Sequence, residues 1–162
     1  MELRDLQVAA HQGYTDWLAA EKWDLFLTLT DPGLSHPEAM YKRTRYFMNC
    51  INRQLYGRNF YKRGQGIEHV IGLERQKRGS VHSHSLIRLP DHDIRDPGQF
   101  SIITWNRKAG ELGGWAKLER PRDSAHTVDY VTKYVCKGGE IYLGETFNPN
   151  SPRAFSQTLL GQ

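Results

Sequence analysis

Cysteine is nearly missing from this chain: Cys50 and Cys136 are the two among 162 residues. They frame no disulfide scaffold, which excludes a covalently stapled secreted domain and fits a reducing compartment. Long apolar runs are missing as well. Runs such as Leu25-Phe26-Leu27 and Val70-Ile71 are far short of the ~20 residues that cross a bilayer. Glu2, Arg4, Asp5, His11 and Asp16 interrupt the start of the chain, so no secretory apolar region stands there. There is no internal repeat, low-complexity tract or charged tail. No Gly-x-x-x-x-Gly-Lys-Ser/Thr phosphate loop occurs. Charge of one sign is scarce: 22 Lys+Arg against 18 Asp+Glu leave +4, a mild hint of a polyanionic partner.

What remains, 38% hydrophobic and 25% charged residues, is the composition of a soluble globular chain. Its length suits one domain with a sizeable core, and residues 1–162 are expected to form that single domain, with an N-terminal helix over 1–22 and a C-terminal tail over 139–162. In the first segment Leu3, Leu6, Ala9/Ala10, Tyr14, Trp17 and Leu18 recur at nearly helical spacing despite Gly13, which predicts an amphipathic helix. Trp23 to Thr30 is rich in strand formers and stops at the turn signal Asp31-Pro32-Gly33. Ser35-His36-Pro37-Glu38 starts a second helix that runs to about Tyr56 and ends at Gly57, with Tyr46, Phe47, Cys50, Ile51 and Leu55 inward. Ile67–Arg75 and Val81–Leu89 form a hairpin. Residues 90–97 are a loop, 100–108 fit strand or helix equally, 113–120 fit a strand, and 124–137 form a helix closed by Gly138-Gly139. The order implies an α+β fold: a central antiparallel sheet of about five strands with helices packed on it.

Chemistry first appears in the hairpin. Side chains alternate along a strand, so His82 and His84 project from one face, close enough to share a cation. Two imidazoles alone rarely hold a hard divalent ion, so a carboxylate is needed nearby. A three-residue connection Lys77-Arg78-Gly79, with Gly79 left-handed, sets Gln76 opposite Ser80, Glu74 opposite His82 and Gly72 opposite His84. Glu74 then joins the histidines. A two-residue turn would put Arg75 there instead and break the site, so the metal reading predicts the turn. His69 alternates onto the other face.

A second constellation follows in Tyr130-Val131-Thr132-Lys133-Tyr134-Val135-Cys136-Lys137. On a helix, Tyr130 and Tyr134 stack at i and i+4, with Lys133 and Lys137 one step aside and Val128, Val131 and Val135 inward. A phenol has a pKa near 10, so attack at neutral pH needs positive charge beside it. The plainer alternative is a pair of amphipathic tyrosines among solvated lysines.

Together these residues resemble the HUH-family rolling-circle replication initiators (Rep endonucleases) of plasmids and single-stranded DNA phages. Phe26-Leu27-Thr28-Leu29-Thr30 resembles the family's first motif, His82-Ser83-His84 its second, and the doubled Tyr-x-x-Lys of Tyr130–Lys137 its third, over roughly residues 23–138. The doubled tyrosine points to the two-tyrosine type. Ser83 departs from the family pattern, which has a hydrophobic residue between the histidines. The position faces away from the metal, so a packing consequence is expected and not a lost activity.

The resemblance implies an HUH nuclease fold with an RRM-like palm, and a metal-dependent, site-specific single-stranded DNA endonuclease and ligase. Mn²⁺ or Mg²⁺ would be held by His82, His84 and Glu74. Tyr134, with Tyr130 as its alternate, would form a 5′-phosphotyrosine intermediate, and Lys133 and Lys137 would orient the phosphate. It further implies a cytoplasmic protein of a bacterial or archaeal host, acting on a replication origin beside a separate helicase and polymerase. Arg58, Tyr61, Lys62 and Arg63, and at the hairpin tip Lys77 and Arg78, mix charge and aromatic rings as single-stranded DNA contacts do. The competing readings are an HUH single-strand transposase and a non-catalytic single-stranded DNA-binding module.

Overall fold

Alternation of large apolar side chains with threonine marks the first strand, and every later element is placed around it. The computed structural model describes residues 3–31, 33, 36–89, 111, 114–121, 128–129 and 141–144. Within them the chain forms α1 (Leu3–Ala19), β1 (Leu25–Thr30), α2 (Pro37–Tyr56), a 3-10 turn (Phe60–Arg63), β2 (Glu68–Arg75), β3 (Val81–Arg88), β4 (Trp115–Glu119) and β5 (Ile141–Leu143). The strands make one five-stranded sheet in the order β4-β1-β3-β2-β5. Every neighbouring pair is antiparallel. This is the expected α+β architecture, and no described helix is long and apolar enough to cross a membrane.

One face of the sheet carries Leu25, Leu27, Leu29, Ile71, Leu73, Ile87 and Leu118, closed over by Met40, Phe47, Met48 and Ile51 of α2. The helix starts where Pro37 occupies its first turn behind His36, and stops at Gly57, whose φ of 81° is backbone that a side chain disfavours. Its buried stripe runs through Met40, Thr44, Phe47, Met48 and Ile51, the i, i+4, i+7 spacing of a core-facing helix. Tyr46, expected inward, lies off that stripe and is 49% exposed.

The other face has a smaller apolar cluster among the described residues. Leu18 and Trp23, with Trp17 beside them, pack on Phe26, Val70 and Leu86. Among the described residues α1 docks by its C-terminal end: Leu6 is 51% and Val8 63% exposed, and Tyr14 is exposed as well, contrary to the inward face expected for Leu6 and Tyr14. The helical spacing was real, and among the described residues the apolar surface of the sheet meets the helix at its last turn. Beneath this cluster Arg88 is buried and ion-paired to both Glu21 and Glu68, which neutralises a charge that would be costly alone.

β5 lies in the segment expected as tail. Its three residues are too few to show a period, and pairing of Val70, Ile71 and Gly72 with Leu143, Tyr142 and Ile141 defines it. Residues 100–108 and the tyrosine segment from Tyr130 to Lys137 lie outside the described residues.

Candidate metal centre

The β2–β3 connection decides whether a site exists. Gln76 N–H donates to the Ser80 carbonyl at 2.9 Å and Gly79 N–H to the Gln76 carbonyl at 2.9 Å, closing a three-residue loop. Gly79 has φ 90°, the positive value that this loop requires. The register is then Gly72 with His84, Glu74 with His82, and Arg75 with Val81, as the three-residue turn predicts.

His82, His84 and Glu74 consequently share one face, and one ligand atom from each falls within 4.8 Å of the others. The carboxylate does not stop at its direct neighbour. Glu74 Oε2 reaches diagonally to His84 Nε2 at 3.2 Å, while the His82 and His84 ring centroids stand 6.4 Å apart. His84 is buried and stacked on Phe26, centroids 6.1 Å apart and planes 8° off parallel. His82 and Glu74 are half-buried, so the cluster is supported from below and open above.

Neighbours on β1 and β2 orient both rings. Thr28 and Thr30 of β1 lie on the same face and pair in register with His84 and His82. Thr28 Oγ1 is 3.3 Å from His84 Nδ1 and Thr30 Oγ1 is 3.4 Å from His82 Nδ1, with Gln76 Nε2 3.0 Å from the same His82 nitrogen. A hydroxyl donates or accepts as its partner needs. Without a cation, His84 Nε2–H donates to Glu74 and Thr28 donates to Nδ1. The opposite tautomer donates Nδ1–H to Thr28 and frees the Nε2 lone pair, the arrangement typical of a ligating histidine. Sequence reading placed Thr28 and Thr30 in the first motif but gave neither them nor Gln76 a contact with the histidines. The signal was the even-numbered polar pair in an apolar strand, which acquires meaning only through the long-range β1–β3 register.

Burial lowers the pKa of both histidines, most directly by desolvating the imidazolium, and Glu74 partly opposes this in each case. Both rings are therefore favoured in the neutral form that binds metal. Two nitrogens and one carboxylate oxygen on an open face fit a divalent cation with positions left for phosphate and water.

Ser83 faces the other way. It is fully buried and hydrogen-bonded at 2.8 Å to Thr44 of α2, whose hydroxyl also reaches the Met40 carbonyl at 2.9 Å. One hydroxyl has one proton, so Thr44 donates to the carbonyl and accepts from Ser83. A hydrophobic contact is replaced by a satisfied polar one that ties α2 to the histidine strand.

The DNA-contact candidates divide into two groups. Lys77 and Arg78 are exposed at the hairpin tip, beside Glu74 and His82. Arg58, Tyr61, Lys62 and Arg63 are exposed around the 3-10 turn before β2, a strand's length of about 25 Å away. Arg63 is held locally, donating to Gln65 at 2.6 Å and to the Tyr56 carbonyl. Tyr130, Lys133, Tyr134 and Lys137 lie outside the described residues. Just ahead of them, Val128 and Asp129 are helical and Val128 is fully buried with Phe26, Val70 and Leu86 on the histidine face.

Comparison with known proteins adds one finding. The family model for Replication-associated protein ORF2 matches residues 24–139, from the start of β1 to beyond the second tyrosine. No curated protein and no solved structure matches the chain.

Proposed function

The chain belongs to the Replication-associated protein ORF2 family, and from that premise we propose that it starts rolling-circle replication as an HUH-type, two-tyrosine endonuclease and ligase. Residues 1–162 act as one nicking and joining domain on single-stranded DNA at an origin. The observation that carries the reading is the Glu74-His82-His84 cluster, set on the same face as Val128 at the head of the tyrosine segment.

The chemistry follows from side chains. A Tyr134 phenol attacks phosphorus in line; the new O–P bond forms as the bond to the 3′ oxygen breaks. The phenol proton leaves to solvent, and the departing 3′ oxygen takes up a proton. The products are a 5′-phosphotyrosine and a free 3′-OH that a separate polymerase can extend once a separate helicase opens the duplex. Lys133 and Lys137 hold the non-bridging oxygens as charge develops. When bound by Glu74, His82 and His84, Mn²⁺ or Mg²⁺ would polarise the scissile phosphate, and the two nitrogen donors favour Mn²⁺. Because the phosphodiester energy is kept in the phosphotyrosine, the strand can be rejoined by reversal without ATP. Tyr130, one helical turn away, can serve a second round of cleavage while Tyr134 holds the first strand.

The test is a denaturation-resistant protein–DNA adduct formed with single-stranded origin DNA and Mn²⁺. It should form with the natural protein and vanish in a Tyr130→Phe, Tyr134→Phe double variant that still folds. An adduct surviving both substitutions overturns the mechanism. Tight strand binding with no adduct under any metal would assign the chain as a binding module.

A further inference from the structure

On the far side of the sheet a cleft of about 300 Å³ opens where α2, the 3-10 turn and the start of β2 meet the β5 edge. That volume is at the small end for ligand pockets and suits one flat ring system better than an extended molecule. Tyr41, Arg45 and Asn49 of α2 line it with Phe60, Tyr61 and His69, and no lining residue is acidic. Arg58, Lys62 and Arg63 are exposed in the same segment as the lining residues Phe60 and Tyr61.

Tyr61 is an unusual side chain for a surface turn. It is 62% exposed, its ring supported from one side by Phe60 at 5.8 Å and 88°. Lys62 Nζ lies 6.0 Å from the ring centroid. Such a largely exposed aromatic with a cation over its ring brings together the two groups that single-stranded nucleic acid uses for base and phosphate. Inside, the two asparagines differ. The Asn52 carbonyl oxygen accepts the Ile67 N–H at 2.7 Å. The half-buried Asn49 amide carries no hydrogen bond among the described residues, so a donor and an acceptor are available to a base edge.

We propose that this cleft takes an unpaired nucleobase of single-stranded DNA, stacked on Tyr61 and read at its edge by Asn49, with Lys62 meeting the adjoining phosphate. The inference rests on the reading of the chain as a single-strand binder, and it places a second contact away from the cleavage centre. His69 in the cleft and Glu74 in the cluster lie on opposite faces of β2, five positions or about 17 Å apart along it. A strand held at both points would curl around the β5 edge, and the cleft would fix which phosphate reaches the histidines.

The experiment titrates the full chain, in EDTA and at several salt concentrations, into a fluorescein-labelled single strand of mixed sequence. Stacking contributes enough per base that Tyr61→Ala should weaken binding roughly 5- to 100-fold without changing the salt slope. Tyr61→Phe should bind as the natural protein does, and Asn49→Asp should weaken binding by placing a carboxylate against the base. Photo-crosslinking of a 5-iodouracil strand should attach to the Phe60–Tyr61 segment. Natural-level affinity of Tyr61→Ala, a crosslink confined to the histidine face, or no binding in EDTA would each overturn the cleft. If Tyr61→Ala keeps its affinity while the phosphotyrosine adduct still forms, the cleft fails and the cleavage mechanism stands. If the adduct never forms but Tyr61→Ala still loses affinity, the outcome is the reverse.

Discussion

The two faces of the sheet are made from the same strands, residue by residue in alternation, yet one is a packed apolar core and the other carries the histidine cluster. On β3 the odd positions Ser83, Ser85 and Ile87 turn to α2, where a helix of 20 residues covers them. The even positions His82 and His84 turn to the other face, where Phe26, Leu86 and Val128 form apolar cover among the described residues. Hydrophobic closure on one side supplies the rigidity that holds polar groups in register on the other. The two faces thus have different roles, and damage to each should be separable.

The largest separation is expected from His84→Ala. Loss of one ligand should cut metal-dependent nicking by about 10³-fold, several kcal/mol of phosphate charge stabilisation, and abolish the thermal shift on adding Mn²⁺. Phe47→Ala, in the sealed core, should do the opposite. It should cost about 3–5 kcal/mol of stability by denaturant unfolding, while adduct yield per folded molecule stays at the natural level. If both variants lost activity and stability together, the two-face distinction would be wrong.

Finer tests probe the contacts that join the faces to their functions. Thr28→Val keeps the shape of β1 but removes the partner of His84 Nδ1, so metal affinity by calorimetry should fall ~10–100-fold with little change in unfolding midpoint. Ser83→Ala should cost about 1 kcal/mol by denaturant unfolding, since Thr44 keeps the Met40 carbonyl. The smallest effect is on pH. His82 and His84 have folded pKa values below the ordinary 6.5, so the unfolded chain binds protons more readily. Metal-free protein should lose stability as pH falls through the window just below 6.5, and replacing both histidines with glutamine should flatten that slope.

Local signals made much of this legible. Pro37 and Gly57 bracket α2 because one fits a helix start and the other tolerates a φ of 81°. Gly79 specifies a three-residue turn, and that turn alone sets Glu74 opposite His82. What was not legible depended on distant partners. α1 reads as amphipathic throughout, but among the described residues the sheet meets Leu18 and the tryptophans near it. Tyr46 is as apolar as its neighbours, and its place off the stripe is apparent only once Met40, Thr44 and Met48 define the buried side. β5 has no period of its own and exists by pairing with β2.

By itself the sequence determined the hairpin and the helix that covers its back, because turns, caps and alternation act over a few residues. It also determined that Glu74, His82 and His84 share a face, since one short loop carries the register. Only the tertiary structure decided that Thr28 and Thr30 hold the histidine rings, that Ser83 is satisfied by Thr44, and that Asn49 and Tyr61 meet across a cleft. Each of those contacts joins segments whose separation along the chain leaves no local trace, and each exists because packing two layers around one core leaves few ways to bring them together.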